Sequence, residues 1–217
     1  MISLLLAATL NIGVYYTAPN AALLLHNRYD KEQIEVVEKN IKTEIKNLER
    51  LINKEVFGEA AVEFKIVFIE YWPIDNPPIY SGADVLYALD ADEILEMRKK
   101  IKDKNRADVF LTIFNHPLIR CYPNCEAKEK IVRQIDGIQW LQEIILTEFN
   151  KLSSKHMMGL LAHEIGHYLN LDHPSRTACK AKMDIMCEEA QLIFGEAYKQ
   201  AWRDFYYQKT GQRFQPR

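Results

Sequence analysis

"HEIGHYLNLDH", His163 to His173, sets three histidines at offsets of four and then six residues, with a glutamate directly after the first. Ser153 or Ser154 offers an N-cap for a helix from about Lys155 to Leu169. On a helix, residues four apart share a face, so His163 and His167 can aim their imidazoles at one atom. Glu164 then projects beside that pair, near enough to reach a water on the metal without being a ligand. His173 joins them only if the helix ends and the chain turns back between Leu169 and Asp172. Asn170 stands at that point, and after glycine asparagine best tolerates the left-handed conformation such a turn requires. Three neutral imidazoles leave a fourth position open, the arrangement of a catalytic rather than a closed structural zinc. Solvated histidines on an ordinary helix end are the plain alternative, and the third histidine at the required offset argues against it.

HEIGHYLNLDH resembles the zinc-binding signature HExxHxxGxxH of the metzincin clan of metallopeptidases, and its LDH ending is especially like the matrixin branch. Metzincins also carry a methionine in a tight turn beneath the metal. In KMDIMC, Met186 lies thirteen residues after His173 and matches it; Met183 is the alternative, and core filling is the ordinary use of a lone methionine. The resemblance implies an α/β (α+β) zincin fold: a twisted, mostly parallel five-stranded sheet with an antiparallel edge strand, long helices, and a small irregular lower subdomain ending in a C-terminal helix. It implies one catalytic domain over residues 1–217, with the upper part at 1–172 and the lower part at 173–217. The implied activity is that of a zinc metallopeptidase, an endopeptidase being expected. One Zn2+ would sit on His163, His167 and His173, Glu164 would serve as general base and then acid, and Met186 would lie under the metal. A peptide or protein substrate would lie along the edge strand, for which GIQWLQ (Gly137 to Gln142) is the candidate. The chain departs from the family pattern twice. Asn170 replaces the usual glycine, and Glu188 stands where astacin- and serralysin-type members carry a tyrosine, so a tyrosine switch ligand is not expected.

Composition agrees with a single folded unit. The chain has 217 residues, 48% of them hydrophobic, enough for one sizeable core. Lys+Arg 28 against Asp+Glu 30 nearly cancel, which argues against a nucleic-acid binder with its basic face. A monomer is expected. No apolar run has the length of a membrane span. Ile2 to Leu10 is apolar but follows no basic n-region and flows into LNIGVYYT, so it reads as leading into a buried first strand, with a signal peptide as the alternative. Cys121, Cys125, Cys179 and Cys187 form two local pairs spaced C-x3-C and C-x7-C. They suit two disulfides, and with them an oxidising, extracellular compartment or a thermophile's interior; a second, structural zinc or plain reduced thiols are the other readings.

Along the chain, Ile34, Val37, Ile41, Ile45, Leu48, Ile52 and Val56 predict a long amphipathic helix over Lys31 to Phe57, with Gly58 as its stop. Ala61 to Trp72 and Ala107 to Asn115 read as strands, WPIDNPPIYSG as a loop, and Asp92 to Lys104 as a second helix. CYPNCEAKEK is a polar excursion, while GIQWLQ and EIILTEF are short β segments. Glu188 to Tyr207, with Ile193, Ala197, Ala201 and Phe205 in register, predicts a last amphipathic helix. Asp172 and Asp184 are candidates to support the site or simply to cap loops; Trp140 is substrate-facing or core; His156 reads as solvated, and His26 and His116 have no partner that the sequence names.

Three other functions stay open. A gluzincin-type peptidase would take its third ligand from Glu188 or Glu189. A zinc-stabilised binding or toxin-like module would no longer cut, although it has no use for Glu164. An archaemetzincin-like aminopeptidase would add a second, cysteine-bound zinc.

Overall fold

The strand ATLNIGVYY, β1 (Ala8–Tyr16), is buried on both faces from Ile12 onward, as a strand with parallel neighbours on either side must be. This computed structural model describes residues 7–16, 31–71, 107–113, 118–122, 131–135, 137–140, 142–146, 154–181, 184–187 and 192–214, for some of them the backbone alone. Ala8 to Leu10, the end of the apolar N-terminal run, belong to β1. The five-stranded sheet has the order β2-β1-β3-β7-β6. β2 (Val62–Tyr71), β1, β3 (Val109–Ile113) and β7 (Glu143–Leu146) run parallel, and β6 (Gly137–Trp140) closes one edge antiparallel to β7. The expected sheet is therefore present, and its antiparallel edge strand is the GIQW segment.

One expectation is corrected between β3 and β6. The stretch read as a polar excursion is flanked by β4 (Leu118–Tyr122) and β5 (Ile131–Ile135), which pair antiparallel as a separate two-stranded sheet with Cys121 opposite Val132. Arg120 and Arg133, paired across the two strands, interrupt an already short alternation and hide it from a periodicity reading.

The first helix, α1 (Lys31–Ile52), buries Ile41, Ile45, Leu48 and Ile52 against the sheet and ends in a π-helical turn, Asn53–Phe57, before Gly58 at φ 74°. The predicted length and stop are right, but the last turn is widened. Asn53 accounts for its anchoring: its Nδ2 donates to the Val62 carbonyl at 2.8 Å, and its Oδ1 accepts the Ala61 and Val62 N–H groups at 2.9 Å. Val56 and Phe57 are thereby both buried. Glu49 takes the Phe64 N–H at 2.6 Å, so α1 also covers backbone of β2, the other edge strand.

The second helix, α2 (Ser154–Tyr168), packs on α1, β6 and β7 and buries Met157, Leu160, Leu161, Ala162 and Ile165. A six-residue helix, α3 (Arg176–Ala181), lies in what read as irregular chain. The C-terminal helix, α4 (Glu196–Thr210), starts after Gly195, so the predicted start at Glu188 is corrected. Ile193 precedes the helix and is 46% exposed. The buried stripe is Tyr198, Trp202, Phe205 and Tyr206, because aromatic rings remove far more apolar area from water than Ala197 and Ala201 can. Trp202 stacks on Phe64 of β2 at 5.6 Å, and Lys209 binds Asp108, just before β3, at 2.7 Å. The predicted helix over Asp92 to Lys104 and the loop WPIDNPPIYSG lie outside the described residues. No helix among the described residues is long and apolar enough to cross a membrane.

Candidate metal centre

The site begins where α2 ends. The Leu171 N–H bonds the Gly166 carbonyl at 3.0 Å and the Asn170 N–H bonds the His167 carbonyl at 2.9 Å, the paired bonds of a Schellman ending. Asn170 takes φ 63°, the only non-glycine in that region among the described residues. The turn demanded of Asn170 is therefore made, and it brings His173 back over the helix.

The Nε2 atoms of the three histidines converge. They stand 2.9 Å (His163 to His173), 3.0 Å (His167 to His173) and 3.2 Å (His163 to His167) apart. Bonds of 2.0–2.1 Å from a tetrahedral zinc would set such atoms about 3.3 Å apart, close to what is seen. The other ring nitrogens explain why hydrogen bonding cannot account for the cluster. His163 Nδ1 donates to the Ile185 carbonyl and His167 Nδ1 to the Leu171 carbonyl, each at 2.7 Å. A carbonyl only accepts, so both protons sit on Nδ1 and two bare Nε2 lone pairs face each other, an arrangement that a cation satisfies.

Burial sharpens this chemistry. His163 and Glu164 are buried, His167 is half-buried and His173 is exposed, so the site has a dry floor and an open side. Desolvation pulls His163 down to about 4 against the opposing bond from Ile185, and lowers His167 likewise. Both rings are thus neutral near neutral pH, as metal ligation requires. Burial pushes the Glu164 carboxyl up to about 8, whereas a cation beside it would draw it down.

The floor is the turn Asp184–Cys187. The Cys187 N–H bonds the Asp184 carbonyl at 3.0 Å, and the Asp184 carboxylate accepts the Met186 N–H at 3.0 Å, so Asp184 is a turn cap. The Ile185 N–H, bonded to the Ile193 carbonyl at 2.7 Å, ties the turn to the segment before α4. Met186 is buried with its sulfur where a Cβ on Gly166 would stand, so this residue between the two helical histidines must lack a side chain. Tyr198 of α4 reaches the same face and donates to the Ala162 carbonyl at 2.9 Å. Cys187 is joined to Cys179 of α3 by a disulfide. Those two sulfurs are therefore not thiolate ligands for a second zinc.

Of the candidate residues, His163, His167 and His173 come together, Glu164 is buried next to His163 in α2, and Met186 packs against Gly166 between the two helical histidines. Asp172 is exposed and acts on His167 only through its charge. Cys125, Met183, Glu188 and Glu189, and the side chains of Cys121, Trp140, His26, His116 and His156, lie outside the described residues. Sequence reasoning did not find the carbonyls of Ile185 and Leu171, which carry no side-chain signal. It also passed over Gly166, whose place inside a helix was the available clue.

The sequence matches no protein-family model and no curated protein. The structure is similar to that of archaemetzincin from Methanopyrus kandleri, with a TM-score of 0.51, 13% identity, and coverage of 91% of this chain and 96% of that one. Archaemetzincin from Archaeoglobus fulgidus, solved with malonate, aligns with a TM-score of 0.49 at 15% identity over 88% of this chain and 99% of its own. At such identities the Methanopyrus likeness carries the fold: this chain has a metzincin-type fold.

Proposed function

From a metzincin-type fold with a three-histidine cluster, we propose that the chain is a zinc-dependent peptidase. The observation that carries the reading is the convergence of three Nε2 atoms, two of them bare lone pairs, with Glu164 buried directly after the first of these histidines. His163, His167 and His173 are the residues that would hold the zinc, and their neutral state suits that task. When bound, zinc supplies a Lewis acid that polarises a carbonyl and acidifies a water. Glu164 accepts the proton of the attacking water and returns it to the leaving amine; a carboxyl drawn up by burial and down by a neighbouring cation is matched to both transfers. Met186 is assigned to the family's methionine turn, on the strength of its place against Gly166 and of the Ile185 carbonyl that fixes the ring of His163.

The substrate in this reading is an extended peptide. Among the described residues β6 pairs only with β7, and it packs on α2, so a peptide added to its outer edge would gain main-chain hydrogen bonds beside the helix that carries His163 and His167. Endopeptidase action is the form proposed. The disulfide suits an oxidising compartment.

The test is zinc content by elemental analysis together with cleavage of a mixed peptide library, for the native chain and Glu164→Ala. Zinc in both and cleavage by the native chain alone is the expected result. Zinc in both without cleavage would turn the reading to a binding module, and zinc in neither would sink it.

A further inference from the structure

We infer that the Cys179–Cys187 disulfide positions His173, and so sets the affinity of the metal centre. This rests on the reading of the three histidines as metal ligands. His163 and His167 sit on a buried helix, and each has its Nδ1 fixed by a carbonyl at 2.7 Å. His173 has neither advantage. It is exposed, it lies in the loop between α2 and α3, and among the described residues nothing bonds its Nδ1.

The far end of that loop is α3, where Ser175 begins the helix by accepting the Ala178 N–H at 3.2 Å. Six residues are too few for a helix to persist in water by itself. Hydrophobic packing does not hold it either: Arg176, Thr177, Ala178 and Lys180 are exposed, and Cys179 alone of these five is half-buried. Its covalent anchor is the bond to Cys187, which follows Met186 in the turn whose Ile185 carbonyl holds His163. One covalent link thus ties the arm carrying the third histidine to the floor that orients the first. Neither cysteine belongs to the hydrophobic cluster built by β1, β3, α1 and α2.

The experiment is a measurement of zinc affinity on the full chain, by competition with a chromophoric chelator. The variants are Cys179→Ser/Cys187→Ser, His173→Ala and the triple substitution. Loss of a group that orients a metal ligand typically weakens binding about 10–100-fold, and that is the loss expected for the double variant. With His173 already removed, loss of the disulfide is expected to change affinity less than about twofold, since a positioning effect needs the positioned residue. Unchanged affinity in the double variant, or an equal loss in both backgrounds, would overturn the proposal.

Hydrogen exchange of the metal-free double variant gives a second reading should Cys187→Ser disturb packing. Exchange faster over 172–181 with 157–165 unchanged is expected, and acceleration through α2 as well would mark a general loosening instead. A native chain that takes up no zinc, or a His173→Ala variant that binds as tightly as the native chain, would overturn the metal-centre reading itself.

Discussion

At the scale of single residues, the site depends on a few positions where backbone geometry limits the choice of side chain. Asn170 is one: with φ 63° it reverses the chain so that His173 can face His163 and His167. Asn170→Gly is expected to leave stability unchanged or raise it by up to about 1 kcal/mol, and Asn170→Val to lower it by about 1–2 kcal/mol, in urea unfolding of the metal-free protein. Equal stabilities would mean that the left-handed turn is not retained. This position was legible beforehand, because a reversal needed between Leu169 and Asp172 leaves few residues able to make it. The carbonyls of Ile185 and Leu171 were not legible, since any residue supplies a carbonyl and only the folded path aims it.

Among the elements, those with long, regular apolar spacing were readable and those fixed by distant partners were not. β2 follows from alternation, β1 and β3 from short apolar runs, and α1 from the 3-4 spacing. The β4–β5 hairpin, the start of α4 and the π-helical end of α1 do not, because each depends on which neighbour it meets. The π-helical turn illustrates the energetics: the Asn53 side chain satisfies three backbone groups of Ala61 and Val62. Asn53→Ala leaves all three unpaired where water reaches them only in part. The expected cost is about 2–3 kcal/mol in chemical denaturation, with Asn53→Asp recovering only the share due to the two N–H donors. A loss below about 0.5 kcal/mol would show that water replaces the amide.

For the whole molecule, the buried Glu164 and His163 link stability to pH. The metal-free fold raises the Glu164 carboxyl to about 8 from its ordinary value near 4.5, so between those values the folded state binds a proton that the unfolded state has released. His163, lowered from 6.5 to about 4, acts in the opposite sense, but only below about 6.5. From pH 6.5 to 8 Glu164 acts alone of these two, and metal-free stability is expected to fall as pH rises, by at most about 1.4 kcal/mol per pH unit. Glu164→Gln should abolish the fall, and saturating zinc should flatten it while raising the melting temperature, as calorimetry would read. A native metal-free protein whose stability is flat over that range would contradict the burial of a protonated carboxyl. The sequence by itself determined the spacing of the three histidines, the place of Glu164 beside them in the chain, the long first helix and most of the parallel strands, because these are written in local periodicity and in residue types with few substitutes; the fold type it carried only through the resemblance of HEIGHYLNLDH to a known signature. Only the tertiary structure decided which carbonyls fix the imidazoles, that Met186 closes on Gly166, and that Cys179 binds Cys187 across the floor of the site. Those contacts join segments whose local sequences carry no trace of each other, and they exist only once burial of the common core has brought the segments together.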